Sequence, residues 1–373
     1  MYQDRLPLVP PDILQAHMVH EPGDTRFKAA ARLLQALWRA ERGIPMGTHA
    51  PGNGEPRKLG SRIEASYAKQ GANFLSPAIA KLAFRESVYR EIGAVIEQER
   101  LWTNMLSSQP LCFNLFGDLK LNPDKGNKFF QQLFPDYVAE VEGIYFEHSP
   151  GRGDASFTAD NTAFDVFVTC RTPEGKQGFI AIEVKYSEAM AEPLATLRPR
   201  YDELSRAVGI YREPESQSLR GNPLQQLWRE HMLSRAMVGN GLYESGRFVL
   251  LYPKQNHHCE SAAKLYQREL IGPDPAVSGF QAVTLEACLA AYKAIGDEEA
   301  AQALDERYLD FGKIEAVIFG ECLAGGAPAC AADGTDQPIT PNACKDSPLA
   351  FGFRGQKRSG SMPTVGTRAA NRQ

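Results

Sequence analysis

The sequence lacks several patterns that would place it in a familiar class of protein. None of its apolar stretches approaches the ~18 residues of a membrane span, and residues 1–15 show no charged-then-apolar secretion signal. It has neither a Walker loop nor a Gly-x-Gly-x-x-Gly turn, which argues against ATP, nicotinamide and flavin cofactors. We therefore expect a protein that does not associate with membranes and resides in the cytoplasm.

Paired cysteines and an excess of positive charge are also missing. The seven cysteines of the 373-residue chain show no Cys-x-x-Cys or zinc-finger spacing. Cys112, Cys170 and Cys288 fall in apolar runs typical of buried core thiols. The formal net charge is −4, so affinity for nucleic acid would have to come from local patches. This charge argues mildly against a general DNA-coating protein and does not argue against an enzyme.

Composition and periodicity divide the chain into three predicted regions. Residues 1–60 are expected to form a loose leader, a helix from Arg26 to Arg42 and a Gly/Pro-rich linker. The polar face of that helix would either be solvated or contact phosphate, and it carries Lys28, Arg32, Arg39 and Arg42. Residues 61–320 would form the main domain. Residues 321–373 would form a disordered basic tail, inert unless it touches nucleic-acid backbone.

Periodicity also predicts individual elements of the main domain. A long helical region over 76–105 would start with Ser76 as its cap and Pro77 in its first turn. An apolar stripe along it, suited to burial, would consist of Leu82, Val88, Ile92 and Ile96. We expect strands over 138–146 and 248–252, a short strand from 280, and helices over 223–238 and 285–295. The apolar residues of the helix over 223–238 suit burial against the sheet, namely Leu224, Leu227, Met232 and Ala236.

Two neighbouring apolar segments, 162–169 and 178–185, carry the most informative residues of the chain. Both are rich in the β-branched and aromatic residues that suit strands. The residues between them suit a three-residue hairpin loop, with Pro173 starting a type I turn and Gly175 in the left-handed conformation. If Thr172 faces Lys176 across this turn, counting back along both arms places Asp165 opposite Glu183.

This register predicts two carboxylates on one face of a hairpin, about 5 Å apart at Cβ. Like charges at that distance repel, and a divalent cation would compensate, since Mg²⁺ accepts one or two carboxylates together with water and phosphate oxygens. Lys185 would project towards the same place, as would Ala181 on the same face. The alternative is that these charges merely decorate a solvated strand face, with Phe164, Val166 and Val168 on the opposite side.

Five segments in order make the chain resemble the PD-(D/E)XK nuclease superfamily, and within it uncharacterised bacterial proteins with a restriction-endonuclease fold. The segments are 108–116, 146–150, 162–165, 182–185 and 222–229, within roughly residues 75–270. One departure is Phe164, which stands where the superfamily pattern has proline. The resemblance implies an α/β restriction-endonuclease-like core with a mixed central β-sheet flanked by helices.

The resemblance also implies a metal-dependent nuclease that hydrolyses phosphodiester bonds, with DNA as the expected substrate. Asp165 and Glu183 would hold Mg²⁺, for which Mn²⁺ could substitute, and Lys185 would position a water or stabilise developing charge. The alternative is a non-catalytic nucleic-acid-binding or regulatory protein that retains the fold.

Supporting residues are less defined. Glu147 is either a third carboxylate near the metal or a structural salt-bridge partner. Gln226 and Arg229 share a helix face, where Arg229 would grip a phosphate or simply be exposed. The superfamily often adds an acidic residue from a preceding helix, for which Glu86, Glu91 and Glu97 are candidates. His148 is expected to be a loop residue, and the His257-His258-Cys259 run lacks a partner at metal-ligand spacing.

Overall fold

The computed structural model describes residues 6–50 and 54–324, with side chains described up to residue 320. The helices of this part are α1 (Pro11–Ala16), α2 (Arg26–Glu41), α3 (Ala65–Lys69), α4 (Pro77–Val88), α5 (Gln98–Trp102), α6 (Ser108–Leu121), α7 (Pro123–Leu133), α8 (Pro199–Ala207), α9 (Gln225–Gly239), α10 (His257–Glu269), α11 (Pro275–Ser278), α12 (Leu285–Ala294), α13 (Glu298–Tyr308) and α14 (Gly312–Ala324). The strands are β1 (Met46–His49), β2 (Arg57–Ile63), β3 (Glu140–His148), β4 (Phe164–Arg171), β5 (Gln177–Val184), β6 (Ser245–Tyr252) and β7 (Phe280–Thr284). Except for the backbone of α14, the predicted tail lies outside the described residues.

The central sheet has the strand order β3-β4-β5-β6-β7. β3, β4 and β5 pair antiparallel, whereas β5, β6 and β7 run parallel. The two parallel steps enclose α9 and α10–α11 as crossover segments, as parallel pairing requires. The predicted mixed sheet flanked by helices is therefore confirmed.

The β4–β5 hairpin has the register that the turn residues predict. Thr172 N–H donates to the Lys176 carbonyl at 3.0 Å, and Gly175 adopts the left-handed conformation with φ of 78°. From there the pairs run without a slip to Val166 opposite Ile182. Phe164 is a correction, because its ring packs with Phe167 rather than on the Val166 face. It is the first residue of β4, where alternation along the strand no longer constrains it.

Both faces of the sheet are covered by apolar side chains. One face, with Val166, Val168, Ile180 and Ile182, packs against a cluster that includes side chains of α2, α6, α7, α12 and α13. The other face, with Phe167, Phe179 and Ala181, packs against α8, α9 and α10. Cys112, Cys170 and Cys288 are buried, which confirms their prediction as core thiols. The strand ends, rather than the faces, are consequently where polar chemistry can collect.

The N-terminal region differs from the expected loose leader and basic helix. Leu6, Ile13 and Leu14 are buried in the same core cluster as α6. Arg32 and Arg39 of α2 are also buried. Arg32 donates to Asp24 and Ser61, and Arg39 donates to backbone carbonyls, so neither forms a solvated or phosphate-contacting face. The predicted Gly/Pro linker contains the antiparallel pair β1–β2. Arginines thus act here as internal hydrogen-bond donors.

The predicted helix over 76–105 is wrong in length but right at its start. Ser76 accepts a hydrogen bond from Ile79 N–H as the cap, and Pro77 occupies the first turn. The helix ends at Val88, and Gly93 takes a left-handed conformation with φ of 85°, which a continuous helix excludes. The stripe expected to be buried is interrupted as a result, since Val88 and Ile92 are exposed whereas Leu82 and Ile96 are buried.

The remaining elements lie close to their predicted positions. The strand expected over 138–146 runs from Glu140 to His148, so His148 is a strand residue rather than the predicted loop residue. The helix predicted from 223 begins at Gln225, and its expected inner residues are buried, namely Leu224, Leu227, Met232 and Ala236. None of the helices within the described ranges is long and apolar enough to cross a membrane.

Candidate active site

Three adjacent strands bring three acidic residues into line at one end of the sheet. In β3 and β4, Phe146 pairs with Val166 and His148 with Phe164, so Glu147 lies opposite Asp165. Extending the β4–β5 register by one residue beyond Val166–Ile182 places Asp165 beside Glu183. Neighbouring strands lie about 4.8 Å apart. Glu147, Asp165 and Glu183 therefore form a row across β3, β4 and β5.

Burial and mutual repulsion make the ionised forms of Asp165 and Glu147 unfavourable in this row. Asp165 accepts a hydrogen bond from Val184 N–H at 2.9 Å through Oδ2. Burial, followed by the charges of Glu183 and Glu147, raises the pKa of Asp165 well above its ordinary range. Burial also raises the pKa of Glu147 to about 7, with Glu183 adding to the effect. A bound cation would remove this penalty, because it favours the ionised form of each carboxylate.

Glu147 also has an unusual backbone. Its φ of 51° lies in the left-handed region that non-glycine residues seldom adopt. Its side chain accepts a hydrogen bond from Val95 N–H at 3.4 Å, and Arg152 lies 4.0 Å from the carboxylate. Glu147 thus has a salt-bridge partner, Arg152, and also lies in the carboxylate row.

Glu183 and Lys185 form a buried ion pair that Gln226 of α9 completes. Lys185 Nζ lies 3.0 Å from Glu183 Oε1 and donates to Gln226 Oε1 at 2.8 Å. The Gln226 amide in turn donates to Glu183 Oε1 at 2.7 Å. Each of the three side chains contacts the other two, which fixes the position of the ammonium group relative to the carboxylate.

Lys185 remains a cation in this environment. Burial by itself lowers its pKa, but the carboxylates of Glu183, Glu188 and Glu192 outweigh that effect and hold the pKa above its ordinary value. An ammonium group has three N–H donors. Within the described part of the chain, Lys185 Nζ donates to Gln226 and pairs with Glu183, while Glu192 lies farther away at 3.8 Å. Lys185 is therefore suited to stabilise negative charge rather than to accept a proton.

Glu230 is a member of this cluster that we did not anticipate. It lies one helical turn after Gln226, whose amide donates to its Oε1 at 2.8 Å. Its Oε2 is buried and has no hydrogen-bond partner among the described residues. Burial and then the Glu183 charge raise the pKa of Glu230 well above its ordinary value. The (i, i+4) spacing of Gln226 and Glu230 would have indicated this pair.

Arg229 points away from the carboxylate row. Its guanidinium donates to Asp160 Oδ2 through Nε at 3.1 Å and through Nη2 at 2.7 Å, and Nη2 also reaches Thr162 at 2.6 Å. Asp160 further accepts from Tyr201 and Thr158. These bonds hold the chain just before β4 against α9. They favour a positioning role for Arg229 over the predicted grip on a phosphate.

None of the three acidic residues predicted from the preceding helix contacts Asp165 or Glu183 in the described structure. Glu86 pairs with Lys120 at 2.7 Å, and Glu97 precedes α5. Glu91 lies in the segment after α4, where it contacts His148 at 2.5 Å and accepts from Ser149 N–H. The early end of α4 explains this difference, because it turns the segment away from the helix axis.

Asp165 and Glu183 offer the kind of oxygen ligands that a hard divalent cation binds. Carboxylate oxygens are the ligands that Mg²⁺ prefers, and Oδ1 of Asp165 and Oε2 of Glu183 make none of the hydrogen bonds described above. In the described ranges, no group of three or more His, Cys, Asp or Glu side chains is close enough to hold a metal ion, and the run His257-His258-Cys259 forms none either. The residues therefore fit a cation held by two carboxylates, with water and phosphate as its other ligands.

Replacing Gln226 with leucine should destabilise the fold, because it removes the amide that links Lys185, Glu183 and Glu230. Leaving such buried groups without partners costs about 1–3 kcal/mol, measurable as a lower free energy of unfolding in urea. Gln302→Leu is the matched control, since Gln302 donates to Glu306 with the same helical spacing but on the surface. Equal losses in the two variants would contradict the linking role of Gln226.

The family model described as the PD-(D/E)XK nuclease superfamily matches residues 22–310. This range includes the whole central sheet, the carboxylate row and α9. No curated protein and no solved structure gives a significant match. The mixed sheet flanked by helices agrees with the restriction-endonuclease-like fold of that superfamily.

Proposed function

Because this chain belongs to the PD-(D/E)XK nuclease superfamily, we propose that it is a metal-dependent nuclease that hydrolyses phosphodiester bonds of DNA. The observation that carries this proposal is the buried Glu183–Lys185–Gln226 triangle beside Asp165. Burying the Lys185–Glu183 ion pair beside Asp165, whose ionised form is itself destabilised by burial, costs desolvation free energy. A well-packed apolar cluster would stabilise the fold at least as well. Such perturbed groups concentrate at functional sites.

Asp165 and Glu183 are the proposed ligands of Mg²⁺, with Mn²⁺ able to replace it. The ion would lower the pKa of a bound water and neutralise charge on the phosphate. Asp165 is held by Val184 N–H, and Glu183 is held by Lys185 and Gln226. Both carboxylates are thereby oriented before any ligand arrives, which reduces the reorganisation needed at the reaction step.

Lys185 is the proposed electrostatic catalyst. Its ammonium group lies beside Glu183, and its third N–H could donate to the attacking water or to a phosphate oxygen as charge develops there. Gln226 accepts from the same ammonium and so restricts its orientation. Glu147, which lies opposite Asp165 in the row, would hydrogen-bond a water there, a role that its neighbourhood supports.

Removal of metal should abolish activity. Labelled single- and double-stranded DNA and RNA are incubated with the protein and Mg²⁺ or Mn²⁺, and with EDTA as the metal-free control. We expect cutting of DNA with either ion and none in EDTA. Lys185→Ala should reduce the rate on the order of 10²-fold, whereas Lys264→Ala, at an exposed lysine on α10, should not change it.

Two outcomes would redirect the assignment. Cutting that survives both EDTA and Lys185→Ala would exclude this mechanism. Binding of nucleic acid with no cutting under any metal condition would favour the alternative, a non-catalytic protein that keeps the nuclease fold.

A further inference from the structure

The segment from the end of α4 to α5 exposes an unusual number of large apolar side chains. They form what we call the apolar ridge, with exposed fractions of 59% for Phe84, 58% for Val88, 81% for Tyr89, 99% for Ile92 and 52% for Val95. Single exposed apolar residues are ordinary, but a contiguous set marks a surface for interaction. Because these side chains do not pack into the core, the ridge is a candidate interaction surface.

The ridge is anchored rather than loose. Glu91 accepts from Ser149 N–H at 3.0 Å and contacts His148 and Arg152. The Val95 carbonyl accepts from Gln109 Nε2 of α6 at 2.8 Å. Ala94 and Ile96 are buried on either side of Val95. The backbone is therefore fixed while the apolar tips point to solvent.

This anchoring places the ridge beside the candidate active site. Val95 N–H donates to Glu147 Oε1, and Glu147 lies opposite Asp165 in the carboxylate row. Glu91 contacts residues that directly follow Glu147 in the chain. A polymer bound at the carboxylate row would therefore lie next to Val95, the ridge residue that contacts Glu147.

The charges around the ridge favour a polyanion as its occupant. Among the neighbouring carboxylates, Glu86 is paired with Lys120 and Glu99 with Arg62, whereas the exposed Glu97 forms no ion pair within the described residues. The exposed cations along the same segment form no ion pair within the described residues, and they are Lys81, Arg85 and Arg90. Arg100, at the end of the segment, acts on the Glu147 carboxylate as a positive charge. Cations interleaved with exposed aromatic rings are typical of surfaces that bind single strands.

We propose that the apolar ridge binds unpaired bases of the substrate, with Tyr89 as the stacking platform and Ile92 as the apolar wedge beside it. The substrate class is accordingly single-stranded nucleic acid, or duplex with an unpaired end or flap, rather than fully paired duplex. Bases offer their faces for stacking only when they are unpaired, whereas in a duplex the phosphates alone would reach the ridge. This inference rests on the nuclease function proposed above.

Binding is tested without metal, so that no cleavage occurs. Fluorescence anisotropy in EDTA compares a labelled single-stranded DNA oligonucleotide with the blunt duplex of the same sequence. We expect tighter binding of the single strand, a loss of at least about fivefold with Tyr89→Ala, and near-normal binding with Tyr89→Phe. Leu265→Ala is the control, at an apolar side chain that is also exposed but lies on α10.

Several results would overturn the inference. One is unchanged single-strand affinity in Tyr89→Ala and in Ile92→Ala, and another is equal affinity of the wild type for blunt duplex. A dimer by light scattering that Tyr89→Ala dissociates, with DNA binding unaffected, would assign the ridge to a second copy of the chain. Binding and cleavage are measured in separate assays. Binding that depends on Tyr89 but is not followed by cutting would support this inference and contradict only the nuclease function.

Discussion

Glu183→Gln is expected to abolish metal-dependent cleavage while leaving the protein folded. The glutamine side chain has nearly the same shape and can still accept a hydrogen bond from Gln226 and Lys185, which now contact Glu183 Oε1. It lacks the negative charge that a hard cation requires of its ligand. Metal ions supply several kcal/mol of transition-state stabilisation, so the rate should fall on the order of 10³-fold.

Glu192→Gln is the matched control for this variant. Glu192 is the other carboxylate next to Lys185, at 3.8 Å, but it is partly exposed and lies outside the carboxylate row. The same chemical change there should alter the rate by no more than about twofold, since exposed charge pairs contribute little. Initial rates at saturating Mg²⁺ and a matched thermal unfolding curve decide the comparison. Wild-type rates in Glu183→Gln would remove Glu183 from the catalytic site.

Asp160→Ala is expected to cause the largest loss of stability. Asp160 is buried and accepts hydrogen bonds from Arg229, Tyr201 and Thr158 and from Thr162 N–H. Its removal leaves the Arg229 guanidinium, itself largely buried, without a counter-charge. Breaking one partner of such a pair costs about 3–5 kcal/mol. Urea denaturation should show this loss. Glu215→Ala breaks the exposed pair with Arg206, and it should cost less than about 1 kcal/mol.

The effect of Asp160→Ala should also depend on pH. Burial by itself raises the pKa of Asp160, but Arg229 and the hydroxyl donors outweigh it and hold the pKa well below its ordinary value. The unfolded chain, in which Asp has a pKa of about 3.9, therefore binds the proton more readily. The stabilisation is complete above that pKa and is lost as the pH falls towards the folded value. The difference between wild type and variant should accordingly narrow in acid, and a constant difference would contradict this assignment.

The hairpin that carries Asp165 and Glu183 could be predicted because its causes are local. Strand alternation sets which residues share a face, and the Pro173–Gly175 turn sets the register. Both effects act over a few residues, so the pairing was predictable up to Val166–Ile182. The mixed sheet, by contrast, was expected from the resemblance to the PD-(D/E)XK nuclease superfamily.

Partners from distant segments were less predictable. Gln226 and Arg229 were expected to act together because they share a helix face. In the structure, α9 is oriented so that Gln226 reaches Lys185 while Arg229 reaches Asp160. Rotation of a helix about its axis depends on the side chains packed beneath it, and these belong to β6, α8 and α10. No periodicity in the sequence of α9 contains that information.

The buried arginines of α2 and the exposed ridge after α4 are two further features that depend on distant segments and could not be predicted. Charge pattern predicted a basic surface on α2, yet Arg32 and Arg39 satisfy carbonyl, hydroxyl and carboxylate groups inside the fold. Apolar spacing predicted burial of Val88 and Ile92, yet both are exposed where α4 ends early. Residue type predicts whether a side chain is usually buried or exposed. Where a side chain departs from that rule, contacts with distant segments are the cause.

The sequence by itself determined that Asp165 and Glu183 oppose each other across a hairpin, with Lys185 two residues further along the same strand. Only the tertiary structure decided that Glu147 extends this pair into a row, that Gln226 and Glu230 complete it from α9, and that the apolar ridge lies beside it. The physical reason is the separation along the chain over which each effect acts. Register and alternation arise from neighbouring residues, whereas these contacts join segments that the packing of the whole core brings together.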